Sequence, residues 1–432
     1  MSQDTHLQAE TVVLAALLSI YAIGWLVRRL RRTRPELQIG RQLVLAFGLR
    51  WGAIAGVATS GIGSTVRGGD EGTFLAWAHD LADSPFGHGF FPHGHYQLHT
   101  VLFAVQLKFG DFSEGAMRLT QVGLALFGMV LIIAAVHDLA GARSANVTAW
   151  FMAVEPASIF FNSALHKEPM MVLASGLMVF GGTRIWRRLD LSGLVLMALA
   201  AFIAVETRPY AGWFLISAGA MVILHASLRR VTNSLKAMPL VYAIIIAGFI
   251  AAPAVIQATS KKSLSSLQVS QNFNTSKTAV TGGANTNNLA LERVDYSSRS
   301  GIVTNLPKRM LDILVRPYPW QVSNASQQLG ALGSMFALAG IVLLIGALWR
   351  RRGHVLELTG PILYPMLFLL MAYALSAGNA GTGFRYRTHI VTLGVAMLFA
   401  LREGVVPERE SEHARLRRKP RPESGRRLAA VQ

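Results

Sequence analysis

Residues 117–137 read MRLTQVGLALFGMVLIIAAVH, and the fold follows from what such a run can be. As a helix it is long enough to cross a hydrocarbon core of about 30 Å. Its apolar residues run all the way round instead of forming one stripe, so it is not a surface helix of a soluble protein. Runs of the same kind recur along the chain near 11–27, 43–63, 145–162, 169–185, 191–205, 210–226, 239–257, 330–349, 357–377 and 388–401. The sequence therefore predicts an all-α protein, a polytopic transmembrane bundle of about eleven spans. Composition agrees: the 432 residues are 52% hydrophobic and 15% charged, against about a quarter charged in a soluble domain.

The formal net charge of +18 is a topology signal rather than a nucleic-acid footprint. Basic clusters fall at alternate junctions: Arg28 to Arg34, Arg184 to Arg188, Arg229 to Lys236, Arg350 to Arg352, and a tail running from Arg402 to Arg427. With the spans above, every cluster lands on one side. The positive-inside rule then places the N-terminus outside and the C-terminus in the cytoplasm. The organisation read from this is an anchor helix and basic turn over 1–41, a transmembrane core over 42–257 and an outside loop over 258–329. Further spans follow over 330–401, with a basic cytoplasmic tail over 402–432. There is no cysteine, so disulfides, thiol chemistry and Cys-based zinc sites are excluded.

The chemistry-bearing residues all fall in the segments assigned to the outside. The first long loop, 64–116, opens on Gly68-Gly69-Asp70-Glu71-Gly72, two adjacent carboxylates that are costly near lipid without a purpose. Phe74, Trp77 and Leu81 then follow helical spacing, and Leu98 to Phe109 is apolar but too short to span. Both stretches read as helices lying in the interface. Between and beyond them stand His88, His93, His95 and His99. The i, i+4 spacing of His95 and His99 suits a shared metal, while headgroup or substrate-hydroxyl binding is the plainer reading.

Three short turns follow the same logic. Glu155-Pro156 breaks a span, as happens where a cavity is lined, and Lys167-Glu168 follows at the next outside turn. Glu206-Thr207-Arg208-Pro209 puts an Arg, whose planar fork matches a phosphate, between two apolar helices. In the second long loop, 260–301 is polar and low in complexity, and a short helix is expected from Leu306 to Arg316. Tyr318 and Trp320 suit either an interfacial aromatic belt or sugar stacking. The last turn, Gly378 to His389, feeds Arg385 and Arg387 into the final span, with glycines that could offer N–H groups to an anion.

The order of these features resembles the GT-C superfamily of polytopic membrane glycosyltransferases, which includes protein O-mannosyltransferases and lipid A aminoarabinose transferases. The shared features are an acidic pair after an early span, flat helices in the first loop, a Lys-Glu turn, and a late loop followed by an Arg turn. The resemblance covers roughly residues 42–226, with 302–401 in support. Arg316-Pro317-Tyr318-Pro319-Trp320 and Gly381-Thr382-Gly383-Phe384-Arg385-Tyr386-Arg387 also look like pieces of bacterial exopolysaccharide polymerase-type proteins. No folded C-terminal soluble domain is expected after the basic tail, a departure from the better-known transferases.

The resemblance implies sugar transfer from a polyprenyl-phosphate donor to a glycan, lipid or protein acceptor at the outer face of the plasma (inner) membrane. Asp70 is then the expected base, with Glu71 its rival. Lys167, Arg208, Arg385 and Arg387 are expected at the donor phosphate, and Glu155, Glu168, His95, His99 and Trp320 at the substrates. A divalent cation, Mg or Mn, held by Asp70 and Glu71 would share the phosphate-neutralising role. The alternatives are a transporter or flippase of lipid-linked sugars, whose polar groups would line a path, and an assembly subunit indifferent to its loop charges.

Overall fold

The computed structural model describes residues 3–59, 69–84, 97–231, 291, 299–321, 325–377 and 380–404. Among these residues every regular element is helical. In chain order they are α1 (Gln3–Arg31), α2 (Gly40–Thr59), α3 (Gly69–Asp83), α4 (Leu98–Gly110), α5 (Glu114–Ala140), α6 (Ala142–Val154) and α7 (Pro156–Phe161). Then come α8 (Glu168–Arg188), α9 (Leu191–Thr207), α10 (Pro209–Val231), α11 (Arg299–Val315), α12 (Ala325–Arg350), α13 (Val355–Ser376) and α14 (Ala380–Glu403). The expected span 239–257, His95 and the basic tail beyond 404 lie outside the described residues.

Among the described residues, six helices are long and apolar enough to cross a membrane: Ala9–Arg31 of α1, α2, α5, Pro209–Arg229 of α10, Ala331–Arg350 of α12, and α13. The expectation of about eleven spans is therefore met only in part. The remaining expected runs that are described do form helices. However, α9 is shorter, α8 and α14 carry charged residues at their ends, and the expected span 145–162 is split at Glu155 into α6 and α7. The helix expected from Leu306 begins at Arg299 instead and carries Pro307 inside it.

The core is built around α5. Ser113 caps its start by accepting from the Ala116 N–H at 3.3 Å, and Gly141, at φ +93°, lets the chain turn away at its end. The apolar window of α5 is 83% buried, against 17% for α2 and 28% for α1 and α12. These three helices therefore form the periphery, with apolar side chains such as Leu18, Trp51 and Val342 turned outward, as a lipid-facing surface requires. Small residues let the inner helices touch. A Cβ on Gly128 of α5 would lie 2.6 Å from the Val172 carbonyl of α8, and a Cβ on Gly176 would fall on the Gly128 carbonyl. Gly181 and Gly193 bring α8 against α9 in the same way.

Both helices expected in the first loop are present. They form a hairpin in which Lys108 of α4 donates to the carbonyls of Ala82 and Ser84 at the end of α3. Phe74, Ala78 and Phe103 of this hairpin pack on Met117 of α5 and on Leu165, in the turn before α8. This contact delivers the first loop to the turns that carry the polar residues.

Candidate functional site

The site begins where a helix is interrupted. In a continuous helix the carbonyl of Met152 would accept from residue 156, but Pro156 has no N–H. Ala157 and Ser158 donate to the Glu155 carboxylate instead of to the preceding turn, so Glu155 caps α7. The freed carbonyls of Met152 and Ala153 are taken by the Arg50 guanidinium at 3.3 and 3.4 Å, which also donates to Ser158 Oγ at 2.6 Å. Asn162 adds its Nδ2 to the same hydroxyl at 2.8 Å. Glu155 is thus a fully engaged cap flanked by the charges of Arg387 and Arg50.

After α7 the chain crosses a non-helical turn, 162–167, which Glu71 fastens. One Glu71 oxygen accepts from the Leu165 N–H at 2.6 Å and from Arg118 of α5, and Arg118 also reaches Glu114 at 3.2 Å. Burial alone raises the Glu71 carboxyl, but the charge and hydrogen bond of Arg118, with the Leu165 N–H, outweigh it and hold the group below its usual range. Lys167 sits with its ammonium 4.9 Å from the centre of the Phe74 ring. The buried His99 ring packs edge-on to Phe74, 4.5 Å between centres. Burial, then the charges of Lys167 and Arg208, push its imidazole well below the usual range.

Beyond the turn, Glu168 and Arg208 form an ion pair at 2.6 Å, with side chains 0% and 5% exposed. The one-residue connection between α9 and α10 aims Arg208 inward. Its guanidinium lies over Tyr386 at 4.3 Å and Tyr373 at 5.7 Å, and Tyr210 donates to the Tyr386 hydroxyl at 2.9 Å. Arg385, on the early turns of α14, is within electrostatic reach of Glu168, as is His389. Arg387 goes elsewhere. It donates to the carbonyls of Leu314 and Arg316 and to Ser334 Oγ at 2.7, 3.3 and 2.8 Å, tying α14 to the end of α11 and to α12. Arg309 likewise satisfies the Ala374 and Ala377 carbonyls at the end of α13.

Of the residues expected at the site, Lys167, Glu168, Arg208, Arg385, Glu71 and His99 come together. Asp70 stands in the first turn of α3, next to Glu71. Glu155 and Arg387 are engaged in holding helices. Trp320 is 80% exposed and stacks on Tyr318, 4.9 Å between rings, with no described contact to the cluster. Residues that the sequence reading passed over are Arg50, Arg118, Arg309 and the three tyrosines. The signal for Arg50 and Arg118 was present, since each is an ionisable residue inside an otherwise apolar run. Among the described residues no three of His, Asp and Glu gather as a metal site, and the Glu71 oxygen nearest Leu165 is already used. Compared with protein-family models, curated proteins and solved structures, the chain matches none.

Proposed function

We propose that this chain is a membrane glycosyltransferase that moves a sugar from a polyprenyl-phosphate donor to a hydroxyl of a glycan, lipid or protein acceptor. In this reading it works at the face of the plasma membrane turned away from the cytoplasm. The observation that carries the reading is the convergence of Lys167, Glu168, Arg208 and Arg385 from three separate connections, with the α3–α4 hairpin packed beside them. A set of cations at one end of an apolar bundle suits a ligand that is lipid in its tail and phosphate in its head.

The chemistry asks three things of the site. The acceptor oxygen attacks the anomeric carbon and forms the new glycosidic bond, while the bond from that carbon to the phosphate oxygen breaks. Polyprenyl phosphate leaves with the electron pair and gains a negative charge, which Lys167 and Arg385 would stabilise. The hydroxyl proton passes to a carboxylate, for which Asp70 is the proposed base. Glu71, clamped by Arg118 and the Leu165 N–H, ties the start of α3, the helix that carries Asp70, to the turn before Lys167.

The test is a reconstituted assay with polyprenyl-phosphate sugar and candidate acceptors. Asp70→Asn should slow transfer by about a hundredfold to ten-thousandfold while insertion and donor binding persist. Glu71→Gln should lower yield and stability along with activity. Sugar passage across the vesicle with no glycosidic bond formed would establish a transporter instead. Transfer unaffected by Asp70→Asn would remove Asp70 as base.

A further inference from the structure

A buried polar atom without a partner has given up its hydrogen bonds to water with nothing in return, and closed protein cores rarely tolerate one. Several occur together here. Both ring nitrogens of His389, Oε2 of Glu168 and Nη1 of Arg208 are buried with no hydrogen-bond partner in the protein. The three residues are 0%, 0% and 4% exposed. They belong to α14, α8 and the α9–α10 connection, and they form one group. Glu168 and Arg208 pair through their other atoms, and both act electrostatically on His389. The Tyr373 ring meets the imidazole edge-on at 4.8 Å and leans on Tyr386 at 4.5 Å.

The kinds of open valence identify a ligand class. Arg208 offers an N–H, Glu168 offers a lone pair, and an imidazole offers one of each. A phosphate, which presents acceptor oxygens, would use the Arg208 N–H and be repelled by Glu168. Neighbouring hydroxyl groups, each donor and acceptor at once, use all of them.

We propose that Glu168, Arg208 and His389 form a hydroxyl-recognising subsite for a sugar ring, beside the phosphate-binding Lys167 and Arg385. Its place in catalysis rests on the glycosyl-transfer reading, but its ligand class can be measured without lipid or turnover.

The experiment uses the full chain purified in detergent. Thermal midpoints are measured with and without the methyl glycosides of glucose, mannose and galactose, at concentrations on the order of 50 mM, where a weak ligand still stabilises the folded state. Wild type should be stabilised by at least one glycoside, and His389→Phe should lose that shift. Without sugar, His389→Phe should melt no lower than wild type, because it removes two unpartnered polar atoms. His389→Gln, which keeps a donor and an acceptor, should retain part of the shift. Equal shifts in wild type and His389→Phe, no shift with any glycoside, or a lower midpoint of His389→Phe without sugar would each overturn the subsite.

A second arm compares binding of undecaprenyl phosphate with and without a mannosyl group. Lipid binding without any glycoside effect would leave the transferase reading standing and the subsite wrong. A glycoside shift lost in His389→Phe, with neither lipid bound, would do the reverse.

Discussion

Charge gathers at both ends of the bundle, and the two ends treat it differently. At the end where the basic clusters fall, Arg34 and Arg187 meet Asp138 at 2.5 and 3.7 Å, and Arg143 meets Glu403 at 2.8 Å. Arg187 is 50% and Arg143 81% exposed, although Arg34 and Asp138 keep only 13% and 11%. At the other end, Glu168–Arg208 and Glu71–Arg118 have no side chain more than 7% exposed. Exposed pairs are worth about 0–1 kcal/mol. Burying charges carries a desolvation cost that a hydrophobic replacement would avoid. The first end keeps its charges where the positive-inside expectation has them. The second retains charge where packing alone would not favour it, and that is the reason to place the proposed chemistry there.

The sharpest way to break this contrast is to remove one member of a buried pair. Glu168→Ala leaves Arg208 uncompensated and should cost about 3–5 kcal/mol, read as a fall in unfolding midpoint in detergent. The double change Glu168→Leu with Arg208→Met should recover most of that loss. If Glu168→Ala proves no more costly than an exposed substitution at the opposite end, the contrast is wrong. Arg50→Met should rank next. It strips partners from the Met152 and Ala153 carbonyls and from Ser158, at a cost of about 1–3 kcal/mol.

Much of this organisation is legible in the sequence. Apolar run length gives the helices, and Pro156 gives the break between α6 and α7. The positive-inside pattern raises the expectation that Lys167, Arg208 and Arg385 share one side of a membrane, and the fold brings these residues near one another. The exact engagements are not legible, because they depend on which helices touch. Arg385 and Arg387 are two residues apart and equivalent by composition, yet one lies near Glu168 and the other is bound to carbonyls of α11. Glu155 reads as a substrate ligand as long as its neighbouring backbone donors, freed by Pro156, are not counted as its partners. The eleven-span expectation treats every apolar run alike, whereas charges at the starts of α8 and α14 belong to the buried cluster.

The smallest expected effect sharpens the contrast from the other side. Arg143→Ala removes a pair whose arginine is mostly in solvent and should change stability by no more than about 1 kcal/mol, with the proposed sugar transfer unaltered. A larger loss would mean that the basic end also carries part of the fold.

The most direct measurement is photo-crosslinking of the reconstituted full chain to a diazirine-bearing polyprenyl phosphate, with the labelled peptides mapped by mass spectrometry. The account predicts labelling in the hairpin and turns around His99, Lys167, Arg208 and Arg385, competed by unlabelled polyprenyl phosphate. Competable labelling confined to the basic end, around Arg28 to Arg34 and Arg184 to Arg188, would contradict it.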